Sequence, residues 1–193
     1  MNSHFFAMLA RMKYINRWAL MRNIQEESIC QHSMETAAFA HALALIKNKY
    51  FGGSLNADRA AVLALYHDMP EIITGDLPTP VKYFNEDMKE VYSKVEESAC
   101  TKLLSMLPEE LKADFSPLFF KEKEDEYLWK IVKAADKISA LTKCLEEQKA
   151  GNREFDSALK ATEKAIRDLK MEEADYFLDT FLPSFSLTLD EQN

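Results

Sequence analysis

Apolar residues recur every three to four positions along most of this chain, and short polar or proline-marked breaks divide the pattern into a series of helices. Residues 4–15 predict a short amphipathic helix. Residues 28–50 predict a long one, with Ser28 as its N-cap and His32, Phe39, Leu43 and Ile46 on the inward stripe. The run Phe51-Gly52-Gly53-Ser54 breaks the chain. Asn56 then caps a helix that continues to about Ile73 and stops at Gly75, a residue type suited to a left-handed C-terminal position. Pro78-Thr79-Pro80 makes the next connection stiff, since both prolines fix φ and donate no backbone hydrogen bond. Helices follow over about 85–106 and 124–149, separated by a stretch containing Pro108 and Pro117. Gly151 marks a break, and a last helix spans about 153–181, before Pro183.

Composition supports this pattern. Four glycines against nine methionines leave too few turn formers for a many-stranded sheet, so the fold class is all-α. At 193 residues the expectation is one domain, 1–193. Lys plus Arg is 24 and Asp plus Glu is 32, a formal charge of −8, which excludes bulk electrostatic binding to nucleic-acid polymers or acidic membranes. No window reaches the roughly 18–20 apolar residues of a membrane span. Cys30, Cys100 and Cys144 form no CxxC and no even framework, which points to a reducing cytoplasm. One region inverts the overall sign: residues 1–25 carry Arg11, Lys13, Arg17 and Arg22 with no acid. It reads as a solvated helix face, a basic leader, or a surface that meets an anion.

The chemistry gathers in ALYHDMPEIITGDLPTP, residues 64–80. Ala60 to Tyr66 are apolar in every direction of a helical wheel, which predicts a helix buried all round. Taking His67 as zero on that wheel, Asp68 falls at about 100° and Glu71 at about 40°, one polar quadrant on an otherwise apolar rod. An unpaired buried carboxylate costs several kcal/mol, so this corner must be paired, hydrogen-bonded or bound to a metal. Core histidines and acids satisfied by arginines are one solution. Asp136, in KAADKISAL, adds a carboxylate at the edge of another apolar face. With His32 it completes a mixed nitrogen and oxygen set that suits a borderline to hard divalent ion. His41, nine residues from His32, faces the other side of its helix, and Tyr83 and Phe84 read as packing residues.

The order His32, His67-Asp68, Asp136 resembles that of the HD-domain metal-dependent phosphohydrolases, an all-helical superfamily. Over nearly the whole chain the similarity is closer still, to the bacterial YfbR-type 5′-deoxynucleotidases. It runs through SHFFAMLARMKYINRWALMRN, SICQHSMETAAFAHALALIKN, KAADKISALTKCLEE and DYFLDTFLPSFSLTLDE as well as the stretch above. That resemblance implies a homodimer that hydrolyses deoxyribonucleoside 5′-monophosphates with one divalent transition-metal ion, cobalt, manganese or similar. It places metal ligands on His32, His67, Asp68 and Asp136, and the acid/base carboxylate on Glu71. A substrate-side loop falls on Asp76, Leu77, Pro78 and Thr79, a phosphate-orienting arginine on Arg17, and a sugar-facing tryptophan on Trp18. Pro70, between the ligands and Glu71, predicts a kink, or the start of a new helical turn. Glu71 and Asp76 share the proton-transfer roles on this reading, and little in the chain suggests a base-reading group. The alternatives are an HD phosphohydrolase for triphosphates, cyclic nucleotides or an alarmone, and a binding protein that has lost turnover.

Overall fold

The computed structural model describes residues 3–82 and 84–192, and Tyr83 lies outside them. Among the described residues the regular elements are helical: α1 (Phe5–Leu9), α2 (Ile29–Tyr50), α3 (Ala57–Tyr66), α4 (Glu71–Thr74), α5 (Thr79–Lys82), α6 (Glu86–Leu104), α7 (Glu109–Phe115), α8 (Glu126–Lys149), α9 (Asp156–Arg167) and α10 (Glu172–Thr180). No helix among them is long and apolar enough to cross a membrane.

The centre is built from α2, α3 and α8. Fully buried Ala40, Ala44, Ala60, Ala64, Ala134 and Ala135 let these helices approach closely. Leu43, Leu63, Ile131 and Ile138 fill the space between them, each contributing roughly 1.5–3 kcal/mol by burial. A second cluster of Phe5, Ile29, Met69, Leu103 and Leu107 fixes α1 and α6 against the α3–α4 junction. The start of α2 is closed by a capping box: Ser28 Oγ accepts from the Gln31 amide at 3.3 Å, and Gln31 Oε1 accepts from the Ser28 amide at 2.9 Å. Such a cap is worth about 1 kcal/mol and sets the first turn, which carries His32.

Several boundaries differ from those expected of the sequence. The helix from Asn56 ends at Tyr66 rather than near Ile73, and a turn over residues 67–70 leads into the separate α4. Pro70 occupies the N-cap of α4, where its missing donor matters little. The same helix is not buried all round, since Val62 is 40% and Leu65 43% exposed. Gly75 has the expected positive φ of 72°, but its ψ of 162° takes it out of the left-handed helical region into one that essentially only glycine adopts. The last helix is two: Lys170, at φ 53°, turns the chain between α9 and α10. Phe84 is 78% exposed and does not pack. The proline-marked stretch between α6 and α8 folds its own short α7, and residues 4–15 divide into α1 and a 3₁₀ turn.

Candidate active site

Three helices and one turn bring the histidine–aspartate set together. His32 projects from the capped first turn of α2 and is fully buried. His67 and Asp68 leave the C-terminal end of α3, and Asp136 comes from the middle of α8. His32 Nε2 lies 3.1 Å from Asp136 Oδ1 and 3.4 Å from Asp68 Oδ2. Asp68 Oδ1 is 3.2 Å from His67 Nε2, and one donor atom each from His32, His67 and Asp68 fits within 4.8 Å.

The histidine environments test whether a cation fits. His67 Nδ1 is 2.6 Å from the Ala64 carbonyl, an acceptor only, so Nδ1 carries the proton and Nε2 presents a lone pair. That Nε2 is buried and has no hydrogen-bond partner. A bare imidazole nitrogen beside the Asp68 carboxylate suits a divalent ion, and is costly to leave without one. Burial alone would raise the Asp136 carboxyl. The hydrogen bond from His32, with the His67 imidazole and the Arg17 charge nearby, instead holds it well below the usual carboxylate range.

Glu71 stands at the N-terminus of α4, one turn beyond Asp68, and is 5% exposed. Its Oε1 accepts from Lys82 Nζ at 2.9 Å, while Oε2 is buried without a partner. Burial, followed by the neighbouring Asp68 charge, outweighs Lys82 and pushes the carboxyl up to about 8.

Over this corner lies a loop clipped at its base by an antiparallel bridge between Asn16 and Ser28. It carries Arg17 and Trp18. Arg17 Nη1 donates to Glu27 Oε2 at 2.8 Å, and Nη2 is 4.0 Å from Asp136 Oδ1. Trp18 has φ 63°, a left-handed conformation rare for an aromatic residue. Three contacts hold it there: its amide to Asp76 Oδ2 at 3.3 Å, its indole N–H to Glu27 Oε2 at 2.8 Å, and its ring against Phe155 at 5.3 Å. Of the four basic residues near the start, only Arg17 faces the corner, and Arg11, Lys13 and Arg22 are exposed.

A cavity of about 710 Å³ opens beside Asp136 and is lined by Arg17, Trp18, Asp76, Pro78 and Thr79. Leu77, expected at this surface, is half-buried and does not line it. The opposite wall is the small-residue face of α9, Ala158, Ala161, Thr162 and Ala165, which sequence reasoning did not connect to the site. His41 lies away from the corner, as expected, with its Nε2 3.4 Å from Asp58 Oδ1.

Sequence reasoning also missed the groups that hold the loop. Glu27 binds both Arg17 and Trp18 through one oxygen. Behind it, Glu147 accepts from the amides of Ile24 at 3.0 Å and Gln25 at 3.2 Å, and Asn152 Nδ2 donates to the Arg22 carbonyl at 2.7 Å. Lys143, 4% exposed, donates to Glu147 and to the Gln25 carbonyl. Burial opposes ionisation of Glu147, but hydrogen bonds from Lys143, Asn152 and the two amides hold its pKa below the usual range.

Residues 4–185 match the family model described as 5′-deoxynucleotidase YfbR-like. The chain belongs to that family. A 5′-deoxynucleotidase of Vibrio vulnificus is 56% identical over 98% of this chain and 97% of its own. Among solved structures, an HD-domain phosphohydrolase from Listeria innocua superposes with a TM-score of 0.82 at 27% identity, covering 94% of this chain and 88% of that one. The cyanophage S-2L HD phosphohydrolase, solved with dA and one catalytic Zn²⁺ ion, has a TM-score of 0.63 at 16% identity over 94% and 96% of the two chains. At that identity it speaks to the fold, which this YfbR-like chain shares with the HD-domain phosphohydrolases.

Proposed function

We propose that this chain is a metal-dependent 5′-deoxynucleotidase, hydrolysing deoxyribonucleoside 5′-monophosphates to deoxynucleoside and phosphate. The observation that carries the reading is the buried, unpartnered Nε2 of His67 facing Asp68, in a corner whose Asp136 lines a cavity together with Arg17. His32, His67, Asp68 and Asp136 would hold one divalent transition-metal ion, cobalt, manganese, zinc or similar. When bound, such an ion supplies positive charge against phosphoryl oxygens and acidifies water.

The remaining work falls to side chains of the chain. Arg17 presents its guanidinium fork to the phosphate, a geometry lysine does not reproduce. Glu71, protonated near neutral pH, donates its proton to the leaving 5′-oxygen, while Asp76 orients water and fixes the backbone of Trp18. Trp18 fills the space of a 2′-hydroxyl. The α9 wall offers Ala158, Ala161 and Ala165 and few polar groups to a base, which suits broad base tolerance. A single domain carries the whole activity on this reading, working as a cytoplasmic homodimer, a state that sedimentation equilibrium would check.

Phosphate release from paired deoxy- and ribonucleoside mono-, di- and triphosphates across several divalent metals tests the proposal. Deoxyribonucleoside monophosphates are the expected substrates, and preference for triphosphates would overturn it. Trp18→Ala should relax the discrimination between deoxyribose and ribose, whereas Arg17→Ala should lower turnover for both.

A further inference from the structure

The two histidines of the corner differ in what their second nitrogen touches. His67 Nδ1 meets one carbonyl, which leaves a single tautomer. His32 Nδ1 meets two groups with opposite demands: Arg17 Nη1 at 2.8 Å and Ser139 Oγ at 2.9 Å. Arginine can only donate, so its contact requires a bare Nδ1 and puts the proton of neutral His32 on Nε2, facing Asp136 and Asp68. That tautomer has no lone pair to give a cation. The Ser139 hydroxyl permits the other one. It can accept from Nδ1–H because its own proton has a second destination, Glu35 Oε2 at 3.1 Å, and Ser139 is fully buried. Thr36 Oγ1, 3.5 Å from Nε2, is too distant to decide the matter.

We propose that Ser139 and Glu35 are positioning residues that hold the His32 proton on Nδ1 when a cation occupies Nε2, and that this exchange of tautomers releases Arg17 from His32 toward the cavity. The imidazole stays neutral throughout: one proton leaves Nε2 and one arrives at Nδ1. Once Nδ1 is protonated, it confronts the Arg17 N–H at 2.8 Å, donor against donor, and the guanidinium must withdraw. Glu27 keeps it tethered as it does so. Metal loading and the freeing of Arg17 Nη1 therefore become one event. The inference rests on the assignment of His32 as a metal ligand.

Nitrogen-15 NMR of histidine-labelled protein, recorded without metal and with Zn²⁺, reads the tautomer directly, and competition titration reads Zn²⁺ affinity. In the native protein, His32 Nδ1 should change from a bare to a protonated nitrogen on adding Zn²⁺. Ser139→Ala and Glu35→Ala should weaken Zn²⁺ binding about 10- to 100-fold, the range for partners that orient a metal-bound histidine. Glu35→Gln, which still offers an oxygen to the Ser139 hydroxyl, should recover most of that loss. Arg17→Ala should show a protonated Nδ1 before any Zn²⁺ is added. Alanine favours helix more than serine, so Ser139→Ala is expected to keep α8 intact, as circular dichroism would verify. Zn²⁺ uptake with an unchanged Nδ1, or native affinity in Ser139→Ala, overturns the relay alone. Native protein that takes up no Zn²⁺ overturns the metal assignment beneath it.

Discussion

His32 and Asp136 stand on helices, and His67 caps the end of one, whose other faces are alanine, leucine and isoleucine, whereas Arg17 and Trp18 stand on a loop held down by carboxylates. The first region is rigid because apolar burial fixes three helices, and the side chains inherit that geometry. The second has almost no apolar anchor of its own beyond the Trp18 and Phe155 rings. Its position depends on Glu27, paired with Arg17, and on Glu147, paired with Lys143, charges that are costly to bury alone. The corner is thus placed by packing and the loop by electrostatics, and different substitutions should damage each.

The largest effect is expected at the corner. Asp68 reaches both imidazoles, at 3.4 and 3.2 Å, so Asp68→Ala should abolish phosphate release and metal uptake while circular dichroism stays native. Substantial turnover in that variant would move the reaction elsewhere. Glu71→Gln should come next, with kcat lower by about 10²- to 10⁴-fold, the usual worth of a general acid. Its pH profile carries the sharper test. A carboxyl raised to about 8 is protonated below that pH and loses its proton as pH rises through it, so native activity should fall on the alkaline side. Glutamine does not titrate, and the variant's residual rate should lack that limb.

The same contrast explains what could be read from the sequence. His32 and Asp136 announce themselves because each interrupts an apolar helical stripe, a signal local to about ten residues. Arg17 and Trp18 interrupt nothing, and only the family resemblance singled them out. Lys143 and Glu147 look like an ordinary solvent-facing i, i+4 pair. What buries them is the loop near residue 24, more than a hundred positions away, and no window along the chain contains that fact. Periodicity also reports an apolar face without reporting whether anything covers it, which is why α3 was expected to be buried at Val62 and Leu65. The break between α9 and α10 was hidden for another reason: Lys170 adopts a positive φ that lysine seldom signals.

Breaking the loop's electrostatic base should cost stability rather than chemistry. Glu147→Ala leaves Lys143 buried with only the Gln25 carbonyl, and frees the amides of Ile24 and Gln25. Removing one partner of a buried pair destabilises by about 3–5 kcal/mol, measurable by urea denaturation. KM should rise because Arg17 and Trp18 lose their footing, while Zn²⁺ affinity should hold near native, since the four ligands are placed by the packed helices and not by this loop. Equal losses in metal binding and substrate binding would erase the distinction between the two regions.

Glu27→Gln should give the smallest change and separate the regions most finely. Glu27 Oε2 receives both the Arg17 guanidinium and the Trp18 indole N–H at 2.8 Å, so one carboxylate orients the phosphate contact and the sugar contact together. Glutamine keeps the shape and one acceptor oxygen but removes the charge. Charge-assisted hydrogen bonds exceed neutral ones by roughly 1 kcal/mol, so kcat/KM should fall by about 5- to 10-fold. The loss should appear mainly in KM, with some relaxation of the deoxyribose preference as Trp18 loosens. Stability should barely move, because Glu147 and Asn152 still anchor the rest of the loop. If Glu27→Gln instead altered kcat and left KM and sugar preference untouched, its carboxylate would belong to the chemistry of the corner and not to the placement of the loop.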